Sequence, residues 1–292
     1  MSVFKGVCTA LITPFDKGKV DFDSLGRLID FQIENDVDAL LVCGTTGEPC
    51  TMTELEKMSV IQFAKERIGG RVPLVVGTGG NNTAEVVNFI GKIQDMDISA
   101  LLCVTPYYNK TTQNGLVRHY GAIAESTFLP VIIYNVPSRT GVNVQPKTLK
   151  LLAEKENIVA IKEASGNVAQ AVEMMSLCGD KIDLYSGNDD INVPLFSIGG
   201  IGTISVLSNI MPAETVRMVH KYMEGDVHSA ANMQKRLMPI IKCLFSEVNP
   251  IPVKTAASLM GLCSDELRLP LTGMGDENKR ALIDCMKEFS LI

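Results

Sequence analysis

Short runs rich in β-branched residues recur along the chain at intervals of 20–35 residues: Val7–Ile12, Ala39–Cys43, Leu74–Val76, Ala100–Val104, Val131–Tyr134, Ile158–Lys162, Ile182–Ser186 and Gly202–Val206. They are continuous apolar runs rather than alternations of apolar and polar positions, which predicts strands covered on both faces. Between them the spacing turns helical. Phe22, Leu25, Leu28, Ile29 and Ile33 mark one apolar face. Thr53-Glu-Leu-Glu56 reads as a capping box opening the next helix. Thr83 precedes Val86, Val87, Ile90 and Ile93, and Pro212 opens a helix carrying Val216 and Val219. Eight strands alternating with helices predict an α/β fold with a parallel sheet and right-handed crossovers. Eight is also the number that closes a (β/α)8 TIM barrel. The alternative is a doubly wound open sheet. Gly77-Thr-Gly79-Gly80 matches a dinucleotide-binding turn poorly and no Walker lysine follows it, so the barrel is favoured.

After about residue 225 the strands stop. MEGDVHSAANMQKRLMPIIKCLF, VKTAASLMGL and NKRALIDCMKEF are helical stretches with no strand between them. The expected organisation is a catalytic barrel over 1–225 and a C-terminal helical appendage over 226–292, packed on the barrel.

Composition narrows the chemistry. The 292 residues are 46% hydrophobic with a net charge of −6 and no run of Lys/Arg, so neither nucleic acid nor an anionic membrane surface is an expected partner. No apolar run reaches the roughly 18 residues of a membrane helix, and MSVFKGVCTALITPFD lacks a signal-peptide cleavage pattern; the expectation is a cytoplasmic protein. The eight cysteines include no CxxC pair and several lie inside apolar runs, so they read as buried, reduced thiols. His119, His220 and His228 have no metal-ligand spacing, so no metal site and no Ser-His-Asp triad is expected. Any chemistry falls to Lys, Tyr, Thr and Arg.

In a barrel of this kind the active site is built at the carboxyl ends of the strands. Strand two ends in Gly44-Thr-Thr-Gly-Glu48, strand four in Thr105-Pro-Tyr-Tyr-Asn109, strand five in Tyr134-Asn-Val-Pro-Ser-Arg-Thr-Gly141, strand six in Lys162-Glu163 and strand seven in Ser186-Gly-Asn-Asp189. Lys162 follows Ile-Val-Ala-Ile directly. Burial there disfavours the ammonium form and suits a lysine that attacks a carbonyl to form a Schiff base. Tyr134, one strand away, is placed to move protons. Each feature has a plainer reading. Gly44-Thr-Thr-Gly47 is also an ordinary turn with Thr as helix cap, Tyr107 and Tyr108 are also aromatics packing on a barrel mouth, and Arg139 is also a solvated charge. A salt bridge to Glu163 or a neighbouring strand would equally account for Lys162. Lys254, in Asn249-Pro-Ile-Pro-Val-Lys254, is a second Schiff-base candidate; because it opens a helix rather than ending a strand, it reads as structural or interfacial.

Taken together, GTTGE, TPYYN, YNVPSRTG, IKEASGN and GTISV, in this order and spacing, closely resemble the dihydrodipicolinate synthase family of the class I pyruvate-dependent aldolases. The resemblance runs from Ile12-Thr-Pro-Phe15 to NPIPVK and LRLPL. It implies a lyase that condenses pyruvate with L-aspartate 4-semialdehyde to give 4-hydroxy-tetrahydrodipicolinate, in the diaminopimelate route to lysine. It further implies Lys162 as the Schiff-base residue and Tyr134 as general acid/base. Thr45 would link Tyr134 to Tyr108 in a proton relay, with Tyr108 reaching into a neighbouring subunit. Thr45 and Thr46 would hold the pyruvate carboxylate, Arg139 the carboxylate of the semialdehyde, and Gly187 and Ile204 would line the pocket. A homotetramer built from tight dimers is implied, and no cofactor. Phenols near pKa 10 need a relay to abstract a proton at pH 7, and a chain of Tyr and Thr hydroxyls supplies one without histidine. A guanidinium suits a substrate carboxylate.

Lyases for N-acetylneuraminate or 2-keto-3-deoxy sugar acids share the Lys and Tyr and are the alternative within the superfamily; Arg139 and the second Thr of GTTGE favour the synthase. In lysine-inhibited members an allosteric pocket lies near the GTTGE loop. Asn81, Glu85 and Tyr107 match it, whereas Pro49, Glu54 and Lys57 do not match the Ser and His residues found in strongly inhibited members. A cation at Lys57 opposes a bound lysine ammonium, so weak or absent feedback is expected. Outside the superfamily, a pyridoxal-phosphate enzyme also uses a strand-end lysine, and a small-molecule-binding barrel without activity would be expected to have lost Lys162 or Tyr134; both are present.

Overall fold

The computed structural model describes residues 2–292. The eight apolar runs become eight parallel strands: β1 (Gly6–Ala10), β2 (Ala39–Val42), β3 (Leu74–Gly77), β4 (Ala100–Val104), β5 (Val131–Asn135), β6 (Ile158–Glu163), β7 (Asp183–Ser186) and β8 (Gly200–Ser205). Each is bonded to its sequence neighbours and β1 pairs with β2 and β8, which closes the barrel. Consecutive residues along β1, β2 and β5 are buried alike, as strands covered on both faces require.

Two strands run one residue further than their apolar runs. β5 ends at Asn135 and β6 at Glu163, and the two are register partners. The polar pair extends the ladder because Asn135 Nδ2 donates to Glu163 Oε2 at 2.8 Å, which satisfies both groups inside the fold.

Helices follow the strands in order: α1 (Phe22–Glu34), α2 (Glu54–Ile68), α3 (Thr83–Ile93), α4 (Gln113–Glu125), α5 (Pro137–Thr140), α6 (Pro146–Leu152), α7 (Val168–Cys178), α8 (Asn192–Phe196) and α9 (Pro212–Met223). The expected capping box opens α2, with Thr53 and Glu56 exchanging bonds. At α3 the cap is Asn82, one residue before the expected Thr83; its side-chain oxygen accepts from Ala84 N at 3.1 Å. A small hairpin, Phe15–Asp16 with Lys19–Val20, is too short to show in a periodicity. After the last strand come α10 (Val227–Leu244), α11 (Ile251–Leu259) and α12 (Asp276–Glu288). No helix among the described residues is long and apolar enough to cross a membrane.

Contacts group the chain into two units. One comprises Val75–Ile204 with the segment up to Gly6; the other comprises Val7–Leu74 with Ser205–Ile292. The first carries β3 to β8, the second β1, β2 and the carboxyl-terminal helices.

Candidate active site

In the first unit, register places the two reactive groups together. Tyr134 on β5 is the Cα partner of Lys162 on β6, and paired residues of parallel strands project to the same side. Lys162 is only 5% exposed, Tyr134 is buried beside it, and the lysine Nζ lies 4.3 Å from the centroid of the tyrosine ring. Glu163, the adjacent residue, projects to the opposite face. Its carboxylate accepts from Asn135 Nδ2 and, at 2.6 Å, from Ser165 N, and burial pushes its pKa up. Asn135 Nδ2 also donates to Asn143 Oδ1, whose own Nδ2 donates to Gln170 Oε1. Glu163 thus serves a polar network behind the strand.

The next strand end comes up against the lysine. A Cβ at Gly187 would stand 3.0 Å from Lys162 Cε and 2.7 Å from Ala164 Cβ, so only glycine fits at that point of the loop after β7. Ile204 is buried on β8. Thr203 Oγ1 donates to Ser186 O, tying the ends of β7 and β8.

Two sequence motifs are joined in a way their order does not reveal. Thr105, of the TPYYN segment, donates to Thr140 Oγ1 at 3.1 Å. Thr140 Oγ1 lies 3.2 Å from Val136 O and 3.0 Å from Val142 O, with both contacts pinning the turn that carries Arg139 on α5. Arg139 itself is exposed. Tyr107 is half-buried, but Tyr108 is 91% exposed and held at φ 67°. A bulky residue in the left-handed region stores roughly 1–3 kcal/mol of strain, here spent on aiming an aromatic ring outward.

Asn81 is half-buried and its carbonyl accepts from Asn109 Nδ2. It lines a cavity of about 340 Å3 with Thr83, Lys110, Arg118 and His119. Glu85 is exposed in the first turn of α3, and Tyr107 is half-buried. Burial holds the His119 pKa down at about 4.

In the second unit, Thr45–Gly47 forms a single 3₁₀ turn with Thr46 buried and Thr45 half-buried. Neither threonine caps it, which removes the plainer reading of Thr as helix cap. The turn is held from outside. Thr13 Oγ1 donates to Gly47 O at 2.7 Å, and Asn249 Nδ2 donates to Thr46 Oγ1 at 3.0 Å. Glu48, in the left-handed region at φ 55°, drives a fully buried carboxylate inward. Lys254 meets it with 0% exposure: its Nζ lies 2.5 Å from Glu48 Oε1, donates to Glu266 O at 2.9 Å and sits 4.3 Å from the Phe15 ring centroid. Arg268 N completes the Glu48 site, while the Arg268 side chain pairs with Glu56 and donates to Thr51 O. Burial lowers the Lys254 pKa, and Glu48 acts in the opposite direction. In the sequence Lys254 already reads as structural or interfacial, whereas LRLPL enters only through the resemblance. Asn249, Glu48 and Arg268 give no local signal, because their partners lie more than 200 positions away. Among the described residues no cluster of three or more His, Cys, Asp or Glu could hold a metal ion.

Residues 3–289 match the Dihydrodipicolinate synthetase family. A 4-hydroxy-tetrahydrodipicolinate synthase from Caldicellulosiruptor bescii is 53% identical over 289 residues, covering 97% of this chain and 98% of that protein. One from Pelobacter propionicus is 48% identical over 290 residues, covering 99% and 100%. The crystal structure of dihydrodipicolinate synthase from Thermotoga maritima superposes with a TM-score of 0.98 at 41% identity and full coverage of both chains. With the family match spanning residues 3–289 and identity of this order over the full length, the chain belongs to the dihydrodipicolinate synthetase family.

Proposed function

We propose that this chain condenses pyruvate with L-aspartate 4-semialdehyde to give 4-hydroxy-tetrahydrodipicolinate, through a Schiff base on Lys162. The observation that carries the reading is the pair on β5 and β6: a lysine 5% exposed, with Nζ 4.3 Å from the ring centroid of a buried tyrosine. Lys162 Nζ adds to C2 of pyruvate and water leaves to form the imine. Loss of a C3 proton gives the enamine, whose C3 attacks the aldehyde carbon. The amine of the second substrate then adds to C2 and displaces Lys162, closing the ring, so one water is released overall.

Tyr134 is the proton carrier for these steps, working through Thr45 to Tyr108. Thr45 and Thr46 hold the pyruvate carboxylate and Arg139 that of the semialdehyde, with Gly187 and Ile204 lining the pocket. The outward ring of Tyr108, held in a strained backbone, supports a tight dimer in which it completes the partner's site, and a tetramer of two such dimers. Lysine feedback is weak or absent, because a cation at Lys57 opposes a bound lysine ammonium through like-charge repulsion.

Turnover of the two substrates, followed by NADPH loss through the next reductase, tests the reading with Lys162→Ala as blank. Activity in the parent and none in the variant is the expected result. A parent that fails to turn over these substrates, yet is still modified at Lys162 by borohydride plus pyruvate, would move the assignment to a sugar-acid lyase.

A further inference from the structure

We propose that Asn249 is a positioning residue for pyruvate: its amide fixes the Thr46 hydroxyl as a donor toward the substrate carboxylate. The inference rests on the reading of Thr46 as a carboxylate ligand. A hydroxyl has one proton and two lone pairs. With a lone pair of Thr46 Oγ1 filled by Asn249 Nδ2 at 3.0 Å, the hydroxyl proton is turned away from Asn249 and is available to an anion. Hydrogen bonds in a chain polarise one another, and a bond to a carboxylate is stronger than one between neutral groups. Both residues are nearly sealed from water, Thr46 at 3% and Asn249 at 6% exposure, so solvent does not reset the rotor.

The geometry separates this task from simple folding of the loop. Two residues past Thr46, Glu48 is locked to Lys254, five residues past Asn249. The two contacts run side by side between the same segments, spanning 203 and 206 positions. The ion pair, with Arg268 N on the second carboxylate oxygen, holds the loop whether or not Asn249 is present. Removing the amide therefore alters the direction of one hydroxyl.

Full-length Asn249→Ala and Asn249→Asp test this by steady-state kinetics in both substrates, by borohydride trapping at Lys162 over a range of pyruvate, and by thermal melting. The pyruvate concentration for half-maximal trapping and for half-maximal turnover should rise about tenfold in Asn249→Ala, the scale of one lost hydrogen bond. It should rise further in Asn249→Asp, where an isosteric carboxylate draws the Thr46 proton to itself and repels the substrate anion. The half-saturating semialdehyde concentration and kcat at saturating pyruvate should stay within about threefold, and the Asn249→Ala effect should disappear in a Thr46→Val background, because the amide acts through that hydroxyl. Unchanged pyruvate saturation in an active parent background, or a loss confined to melting temperature and active fraction, overturns the proposal. A parent that shows no trapping by pyruvate overturns the functional reading instead, and this inference with it.

Discussion

Among the described residues two lysines are buried, and each has its nitrogen 4.3 Å from an aromatic ring centroid: Lys162 beside Tyr134 and Lys254 beside Phe15. Burial does not tell them apart. Their partners and their positions do. Lys254 faces a buried carboxylate and a backbone carbonyl, so its ammonium form is matched by fixed acceptors and its protons are committed. Lys162 is the penultimate residue of β6, next to a phenol, and the carboxylate after it in sequence is turned away into a separate network. The lysine proposed as nucleophile stands beside a phenol, whereas the strut is the one to which the fold supplies a buried carboxylate.

The contrast is sharpest in Lys162→Ala, expected to lose turnover by about four to six orders of magnitude, the scale seen when a covalent nucleophile is removed. A Lys254→Met protein that folds should still be trapped at Lys162 by pyruvate and borohydride; trapping that followed Lys254 instead would reverse the assignment of the two roles.

Next in size, Lys254→Met should lower unfolding free energy by about 3–5 kcal/mol, because it strands the Glu48 carboxylate. Urea denaturation measures this, and Lys254→Met with Glu48→Gln should recover at least half the loss. If the single and double variants were equally unstable, the pair would not be the strut argued here.

Tyr134→Phe should reduce kcat by about 10²–10³-fold, the scale of general acid–base catalysis, while leaving imine trapping measurable at long incubation. A kcat within threefold of the parent would remove Tyr134 from the proton path.

The smallest effect concerns the outer ion pair of the strut. Arg268 holds the Glu56 pKa down at about 2. A carboxylate depressed in the folded state adds stability that is present above its unfolded pKa of about 4.3 and is lost as pH falls through the folded value. Glu56→Gln should therefore cost about 1–2 kcal/mol at pH 7, and its difference from the parent should close between about pH 4.5 and pH 2. A gap independent of pH would assign the loss to packing.

The barrel and its reactive pair were legible in the sequence for one reason: they depend on local order. An apolar run makes a strand, strands alternate with helices, and the residue ending each run lands on one rim. Lys162 and Tyr134 stand out that way, whereas Gly187 enters the site only through the resemblance. The supports of the GTTGE loop could not. Thr46 depends on Asn249, and Glu48 on Lys254 and Arg268, and no periodicity records a partner two hundred residues away. Lys254 was read as structural or interfacial from its place at a helix start, but its carboxylate was hidden in a motif already assigned to substrate. Thr105 and Thr140 show the same limit at shorter range: both sit in recognised motifs, and only the fold reveals that one hydroxyl donates to the other.

The Glu48 lock also has a consequence for the order in which the protein is made. When a ribosome has released Ser205, all eight strands exist, as do Lys162 and Tyr134, yet Glu48 still lacks the ammonium and the N–H that make its burial tolerable. The loop bearing Thr45 and Thr46 cannot settle until Lys254 and Arg268 emerge, so the growing chain carries a nearly complete barrel with an unset mouth. Synthesis halted anywhere in that interval yields a chain whose Thr45–Gly47 turn lacks the contacts that hold it and the neighbouring Glu48.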